Sequence, residues 1–371
     1  MISNGKRIEW IDIVRFIGIS WIVIYHIGLF PKTFSTYAST FQLPLFWFLS
    51  GYCISQKKSL KHIVKNNLNR LIIPYFFLGF VILFYKIVTF PAVSYNISFF
   101  RFIRNYVFFL AIMKPGYGIN PMWFLPSLFA VSTLFQISLL SDKHKVSLIF
   151  ILVTIFFTVE PSQIKYLLES FEGNPVIEYI IEIIVFYYHC IREGFIFFTI
   201  GNILKRNKFF KNKITIQSTI KFQLLKIALF LVINYILIYY WNNIFKLTFL
   251  LHFRRYIVGL SGIMLWISIA KLVPAGNIFL FFGRNTLIIL CFHSPVIEFL
   301  RIVNVFLINH INFINLFVLK KTTFISQVQS GLLMLILTML IMIPLIRYIC
   351  KYFPCFIGHK SLLSVSRNVL L

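Results

Sequence analysis

Ten stretches of this 371-residue chain are apolar over about the length of a membrane crossing, and that repetition constrains its fold more than any other feature. They run 11–30, 41–56, 71–90, 121–140, 146–160, 176–204, 223–241, 255–272, 278–300 and 328–350, the second and fifth being short. A helix of about 20 residues crosses the roughly 30 Å hydrocarbon layer. Lipid offers the backbone no hydrogen bonds, so runs of this length read as helices that pair their own amides and carbonyls. The expected fold is therefore all-α, a polytopic membrane protein with about ten transmembrane helices in one bundle, forming a single domain over 1–371. The segment 97–113 is apolar as well, but Arg101 and Arg104 place it at the membrane interface as an amphipathic helix.

Charge supports this reading and narrows the partners. Charged residues are only 12% of the chain, about half the usual share of a soluble domain. The 36 Lys and Arg against 10 Asp and Glu give a formal net charge of +26. Nucleic acid is excluded as the partner, because the cations lie between apolar runs instead of clustering on one polar face. With the N-terminus inside, the inner segments carry twenty loop cations and the outer ones ten. Cations concentrate on the cytoplasmic side of short loops, so both termini are expected there. The densest inner patch is Lys57, Lys58, Lys61, Lys65 and Arg70. The five cysteines, with no C-x-x-C pair, read as buried small side chains that build neither a disulfide frame nor a metal site. The N-terminal segment lacks a small-residue cleavage site and is expected to remain as the first helix.

Ionisable groups at membrane depth are expensive and mark sites by default. The first helix, WIDIVRFIGISWIVIYHIG, is the richest, with Asp12, Arg15 and His26. Asp12 and Arg15 are one turn apart and suited to an ion pair. Arg15 and His26 are eleven residues apart, which at 100° per residue leaves them about 20° out of line and about 16.5 Å apart along the axis. Singly, Arg15 reads as a snorkelling cation and His26 as a packed histidine. Together they form a polar stripe of the kind that a reaction linking the two membrane faces requires. Glu182, His189, Arg192 and Glu193 lie in the sixth run and are expected to pair among themselves.

These residues resemble the first-helix signature of the acyltransferase-3 family, in which D-x-x-R is followed by ten residues and a His. Further resemblances come in the family's order: FWFLSGYCIS at 46–55, NRLIIPYFF at 69–77, PMWFLPSLF at 121–129 and GRNTLIILCFHSPV at 283–296. Two positions depart from its pattern. Asn67 stands where a second arginine often precedes Arg70, and Leu290 where a tyrosine often precedes the late histidine. The resemblance implies a bacterial inner-membrane O-acyltransferase. Its donor would be acyl-CoA, most simply acetyl-CoA, and its acceptor a surface glycan or lipid-linked glycan such as O-antigen.

Chemistry and resemblance together suggest the roles. Histidine titrates near operating pH, so His26 is assigned as the general base, or as a transient acyl carrier. Arg15 and Asp12 support it, with an ion pair alone as their plainer role. Arg70 and Lys65 suit either donor phosphates or anionic lipid. Ser50 and Gly51 lack the context of a nucleophile. They read as helix packing or as an opening for the donor's thin pantetheine arm. Trp123 suits stacking on a sugar ring or anchoring at the interface. His293 and Glu298 form a second candidate site, His293 entering by resemblance alone, with a packed helix histidine as its plainer role. No metal motif, P-loop or dinucleotide fingerprint is present. The rival readings are a transporter or flippase, which predicts inverted repeats that the sequence does not display, and a glycan polymerase.

Overall fold

The computed structural model describes residues 2–3, 6–54, 59–92, 98–113, 120–141, 147–169, 175–207, 209, 216–239, 248–311 and 323–357. Lys57 and Lys58 of the basic patch, and Lys208, Lys211 and Lys213 of a later one, fall outside these residues. A two-residue strand pair, Ile2–Ser3 with Lys6–Arg7, precedes the helices. The helices are α1 Glu9–Ile27, α2 Lys32–Cys53, α3 Leu60–Asn67, α4 Ile73–Thr89, α5 Phe99–Ala111, α6 Phe124–Ser141, α7 Ser147–Thr158 and α8 Pro161–Glu169. They continue as α9 Pro175–Arg206, α10 Ile216–Tyr239, α11 Thr248–Ala270, α12 Asn277–Arg284, α13 Thr286–Ile311 and α14 Phe324–Tyr352.

Eight helices among the described residues are long and apolar enough to cross a membrane, so the chain is a multi-pass membrane protein. Among the described residues a helix lies on each of the ten expected runs, and the two short ones are those that fall below this standard. Helix α7 has 12 residues, about 18 Å, too little for the hydrocarbon layer. Helix α2 is long enough at 22 residues, but Thr33, Ser35, Thr36, Ser39, Thr40 and Gln42 make its first half polar. Helix α5 is amphipathic as expected. Phe102, Tyr106 and Leu110 are buried at four-residue intervals, while Arg101 and Arg104 are exposed.

Two expected boundaries move, each for a local reason. The run from 278 breaks at Asn285, whose side-chain amide donates to the Phe281 carbonyl at 2.8 Å and whose backbone N–H turns to Phe282. That local bond competes with helix continuation and separates α12 from α13. The third run starts earlier: α3 continues into α4 through a single wide turn, Leu68–Ile72, of the i→i+5 kind. A turn of this kind inserts one extra residue into a helix and so rotates the face presented by every later residue.

The described chain forms two compact units. One comprises Met1–Phe46, Phe80–Tyr106 and Lys213–Leu371, and the other Trp47–Gly79 and Val107–Asn212. In the first, α1 packs against α11, α12, α13 and α14. Between helices in lipid there is little hydrophobic drive, so close approach at small residues decides association. A Cβ on Gly283 would lie 1.9 Å from the Asp12 carbonyl oxygen, which brings α12 and α1 into backbone contact. An aromatic cluster of Trp21, Phe34, Tyr37, Phe41 and Trp266 fills the space beside α1.

In the second unit α9 packs against α6, α7 and α8. Gly51 and Gly201 form a reciprocal crossing. A Cβ on the first would stand 2.0 Å from the Phe198 carbonyl oxygen, and on the second 2.1 Å from that of Phe48. Asn202 adds a hydrogen bond to the Gly51 carbonyl at 3.3 Å. Gly51→Ala is therefore expected to cost about 3 kcal/mol or to prevent assembly, because a backbone oxygen cannot move aside as a flexible side chain does. Gly276→Ala, where the nearest atom is an ordinary 3.5 Å away, serves as the control. Thermal melting in detergent, compared for the two variants, tests the crossing.

Candidate functional site

Helix α1 enters the first unit as the sequence leads one to expect, with Asp12 buried, Arg15 partly exposed and His26 partly buried near its end. Asp12 and Arg15 form the anticipated pair at 3.6 Å. The carboxylate also receives the Nε of Arg284 at 3.3 Å. Arg284 is the last residue of α12, brought to Asp12 by the backbone contact at Gly283. One carboxylate that is 1% exposed thus holds two guanidinium groups exposed by 27% and 44%. The cluster keeps an excess positive charge facing outward from a fixed base, a fitting seat for an anion.

His26 meets His293 at the other end. Their ring centroids are 5.0 Å apart, with the planes at 50°. His293 is fully buried on α13, and its Nδ1 lies 2.9 Å from the Ile289 carbonyl. A carbonyl oxygen only accepts, so Nδ1 carries the hydrogen and Nε2 presents its lone pair. That Nε2 is buried and has no hydrogen-bond partner among the described residues. The ring that the sequence offers only through a resemblance is therefore a second imidazole against the first, with a fixed tautomer.

Helix α13 is braced beyond His293. Pro295 lies within it and removes one helical N–H. The Tyr85 hydroxyl donates to the Pro295 carbonyl at 3.1 Å, and Lys86, the next residue on α4, forms an ion pair with Glu298. Arg301 then reaches back to the last carbonyl of α1, that of Ile27, at 2.7 Å. Lys86, Arg284 and Arg301 are not singled out by the sequence reading. The rule that selects Arg15, an ionisable group inside an apolar run, covers Lys86 and Arg284, whereas Arg301 lies one residue past the end of the run 278–300.

The other expected site residues belong to the second unit. Lys65 and Arg70 are exposed, on α3 and in the wide turn after it. Asn67, at the departure from the family pattern, faces inward: it is buried and donates to Ser132 at 3.4 Å and Thr133 at 3.0 Å on α6. A packing contact occupies that position here. Ser50 is partly buried beside Gly51 at the α2 to α9 crossing. Trp123 sits in the 3₁₀ turn before α6 and packs edge-on against Phe186 at 5.4 Å. The polar residues of α9 pair only in part among themselves. His189 contacts Glu193 at 3.5 Å, whereas Arg192 turns to Glu160 at 2.9 Å and to the Phe156 carbonyl at 2.5 Å. Among the described residues there is no disulfide and no group of three metal-ligating side chains.

A family model described as an acyltransferase domain matches residues 8–351, nearly the whole chain and all of the elements that build the histidine pair. The chain belongs to the acyltransferase-3 family. No curated protein and no solved structure matches it significantly. Membership makes the protein a membrane acyltransferase.

Proposed function

We propose that this acyltransferase moves an acyl group, acetyl in the simplest case, from cytoplasmic acyl-CoA to a hydroxyl of a surface polysaccharide or its lipid-linked precursor, in a bacterial inner membrane. The observation that carries the reading is the His26–His293 pair at 5.0 Å. His26 takes the proton of the acceptor hydroxyl as its oxygen bonds to the acyl carbon. The carbon–sulfur bond then breaks, and the departing thiolate receives that proton. His293 carries an acceptor nitrogen with no partner among the described residues, on a ring whose centroid is 5.0 Å from that of His26. An N–H of His26 that occupies that nitrogen leaves the other His26 nitrogen free as the base, the orienting logic of a catalytic triad.

The two guanidinium groups on Asp12 support an anionic donor, whose phosphates Arg15 and Arg284 bind in this proposal.

The test compares the host's surface polysaccharide, by NMR and mass, with the gene present and deleted. Loss of O-acyl signals on deletion supports the proposal. Unchanged acylation with reduced glycan export overturns it in favour of a transporter. A second measurement concerns the donor: Arg284→Gln is expected to raise the KM for acetyl-CoA about tenfold while leaving that for acetyl-pantetheine within about twofold, since one charge-assisted hydrogen bond contributes about 1.5–3 kcal/mol. An equal rise for both donors would remove Arg284 from phosphate binding.

A further inference from the structure

Helices α1 and α13 run side by side in the same direction. Asp12 lies beside Gly283 and Arg284 just before α13, His26 lies beside His293, and the Ile27 carbonyl lies at the guanidinium of Arg301. The catalytic ring in the proposed mechanism is thus carried on the last turn of α1. That is a weak place for it. The final four carbonyls of a helix have no partner within the helix, and such turns fray. Gly28 ends α1 in the left-handed region at φ 67°, so nothing downstream continues the helical hydrogen bonding.

Arg301 supplies the missing contact. Its Nη2 donates to the Ile27 carbonyl at 2.7 Å, one residue beyond His26, and the same nitrogen is the nearest group to the Cβ position of Gly28, at 3.9 Å. A cation at a helix C-terminus also complements the helix dipole. Because α13 carries both Arg301 and His293, a single element holds one imidazole and the end of the helix bearing the other. The same element is fixed in turn by Tyr85 and Lys86 at Pro295 and Glu298, the stretch that the proline weakens.

We infer that Arg301 is a positioning residue, which fixes the separation and orientation of His26 against His293 by clamping the C-terminus of α1 to α13. The inference rests on the proposed acyl transfer from a thioester to a hydroxyl. Misplacing reacting groups by about 1 Å costs about 100-fold in rate, so a clamp of this kind governs turnover more than binding. Arg301 is exposed, so its removal opens no buried cavity, and the substituted chain is expected to assemble.

The experiment compares the full-length wild type with Arg301→Met and Arg301→Lys in lipid nanodiscs, measuring kcat and KM separately for acetyl-CoA and acceptor. In parallel, nitrogen-15 histidine NMR reads the contact between the two rings. Arg301→Met is expected to lower kcat about 10- to 100-fold, with both KM values within about twofold, and to abolish the contact between the rings. Arg301→Lys, which keeps a cationic donor on the same turn of α13, is expected to recover most of kcat and to restore the contact. Unchanged kcat in Arg301→Met, or a ring contact that survives it, overturns the inference. So does a loss that tracks reduced melting temperature equally in both variants, which would make Arg301 a purely structural brace. If the wild type transfers no acyl group, the proposed function fails by itself, and the ring contact in the three proteins still decides whether Arg301 holds the pair.

Discussion

Replacing His26 with alanine is expected to abolish acyl transfer while leaving the amount of inserted protein unchanged. A general base contributes about 10²- to 10⁴-fold to such a reaction, so the residual rate should fall to the background of the assay. Insertion is set by the apolar character of α1, and alanine is a stronger helix former than histidine, so the span itself loses nothing. His26→Gln sharpens the test. Glutamine fills much of the space and still donates toward His293, yet it cannot carry a proton from hydroxyl to thiolate, and it should be nearly as inactive as alanine. His293→Gln is expected to retain more activity than His26→Gln, because His293 orients and does not meet the substrate. In the double variant the two losses should not add, as is usual for residues that act as a unit. The measurement is transfer of radiolabelled acetyl from acetyl-CoA in membranes normalised for protein content. Activity near wild type in His26→Ala would remove the base from the mechanism and with it the role given to the histidine pair.

A large effect on stability is expected at Lys86 and Glu298. Lys86 is 6% exposed and Glu298 21%, and the second carboxylate oxygen of Glu298 is buried with no hydrogen-bond partner among the described residues. Breaking a buried ion pair from one side leaves the other charge without compensation, a cost of about 3–5 kcal/mol. Replacing both partners with apolar groups of similar size removes the desolvation penalty together with the attraction, and is often neutral. Glu298→Leu alone is thus expected to lower the melting temperature strongly, and Lys86→Met combined with Glu298→Leu to restore most of it. If the double variant melts no higher than Glu298→Leu, the pair is not what holds α4 to α13. The double variant also separates rigidity from charge. Should its stability return while acyl transfer stays low, the charges themselves act on the site, since apolar packing alone would have restored the brace.

Much of this protein is legible in its sequence because lipid simplifies the problem. A run of about 20 apolar residues has one stable outcome in hydrocarbon, so hydropathy alone places the helices. The differences fall where polar side chains act locally: the amide of Asn285 divides an expected span, and the hydroxyls along α2 and the brevity of α7 take two others below crossing length or apolarity. The stripe of Asp12, Arg15 and His26 is legible for a similar reason, since helical geometry places residues eleven apart on one face. The family shows in the order of short motifs along the chain, which is a property of the sequence.

The tertiary structure decided which partner each of those residues has. Asp12 and Arg284 are 272 positions apart, far beyond the reach of any spacing rule within a helix, and only the backbone contact at Gly283 brings them together. The same holds for Arg301 and Ile27, and for His26 and His293, whose encounter underlies the role proposed for the second histidine. Intrahelical spacing is fixed by covalent geometry and a single hydrogen-bond pattern, so sequence determines it. Pairing between helices depends on which small residues permit close approach and which buried charges must find a counterpart, and these are settled only when all the helices have packed.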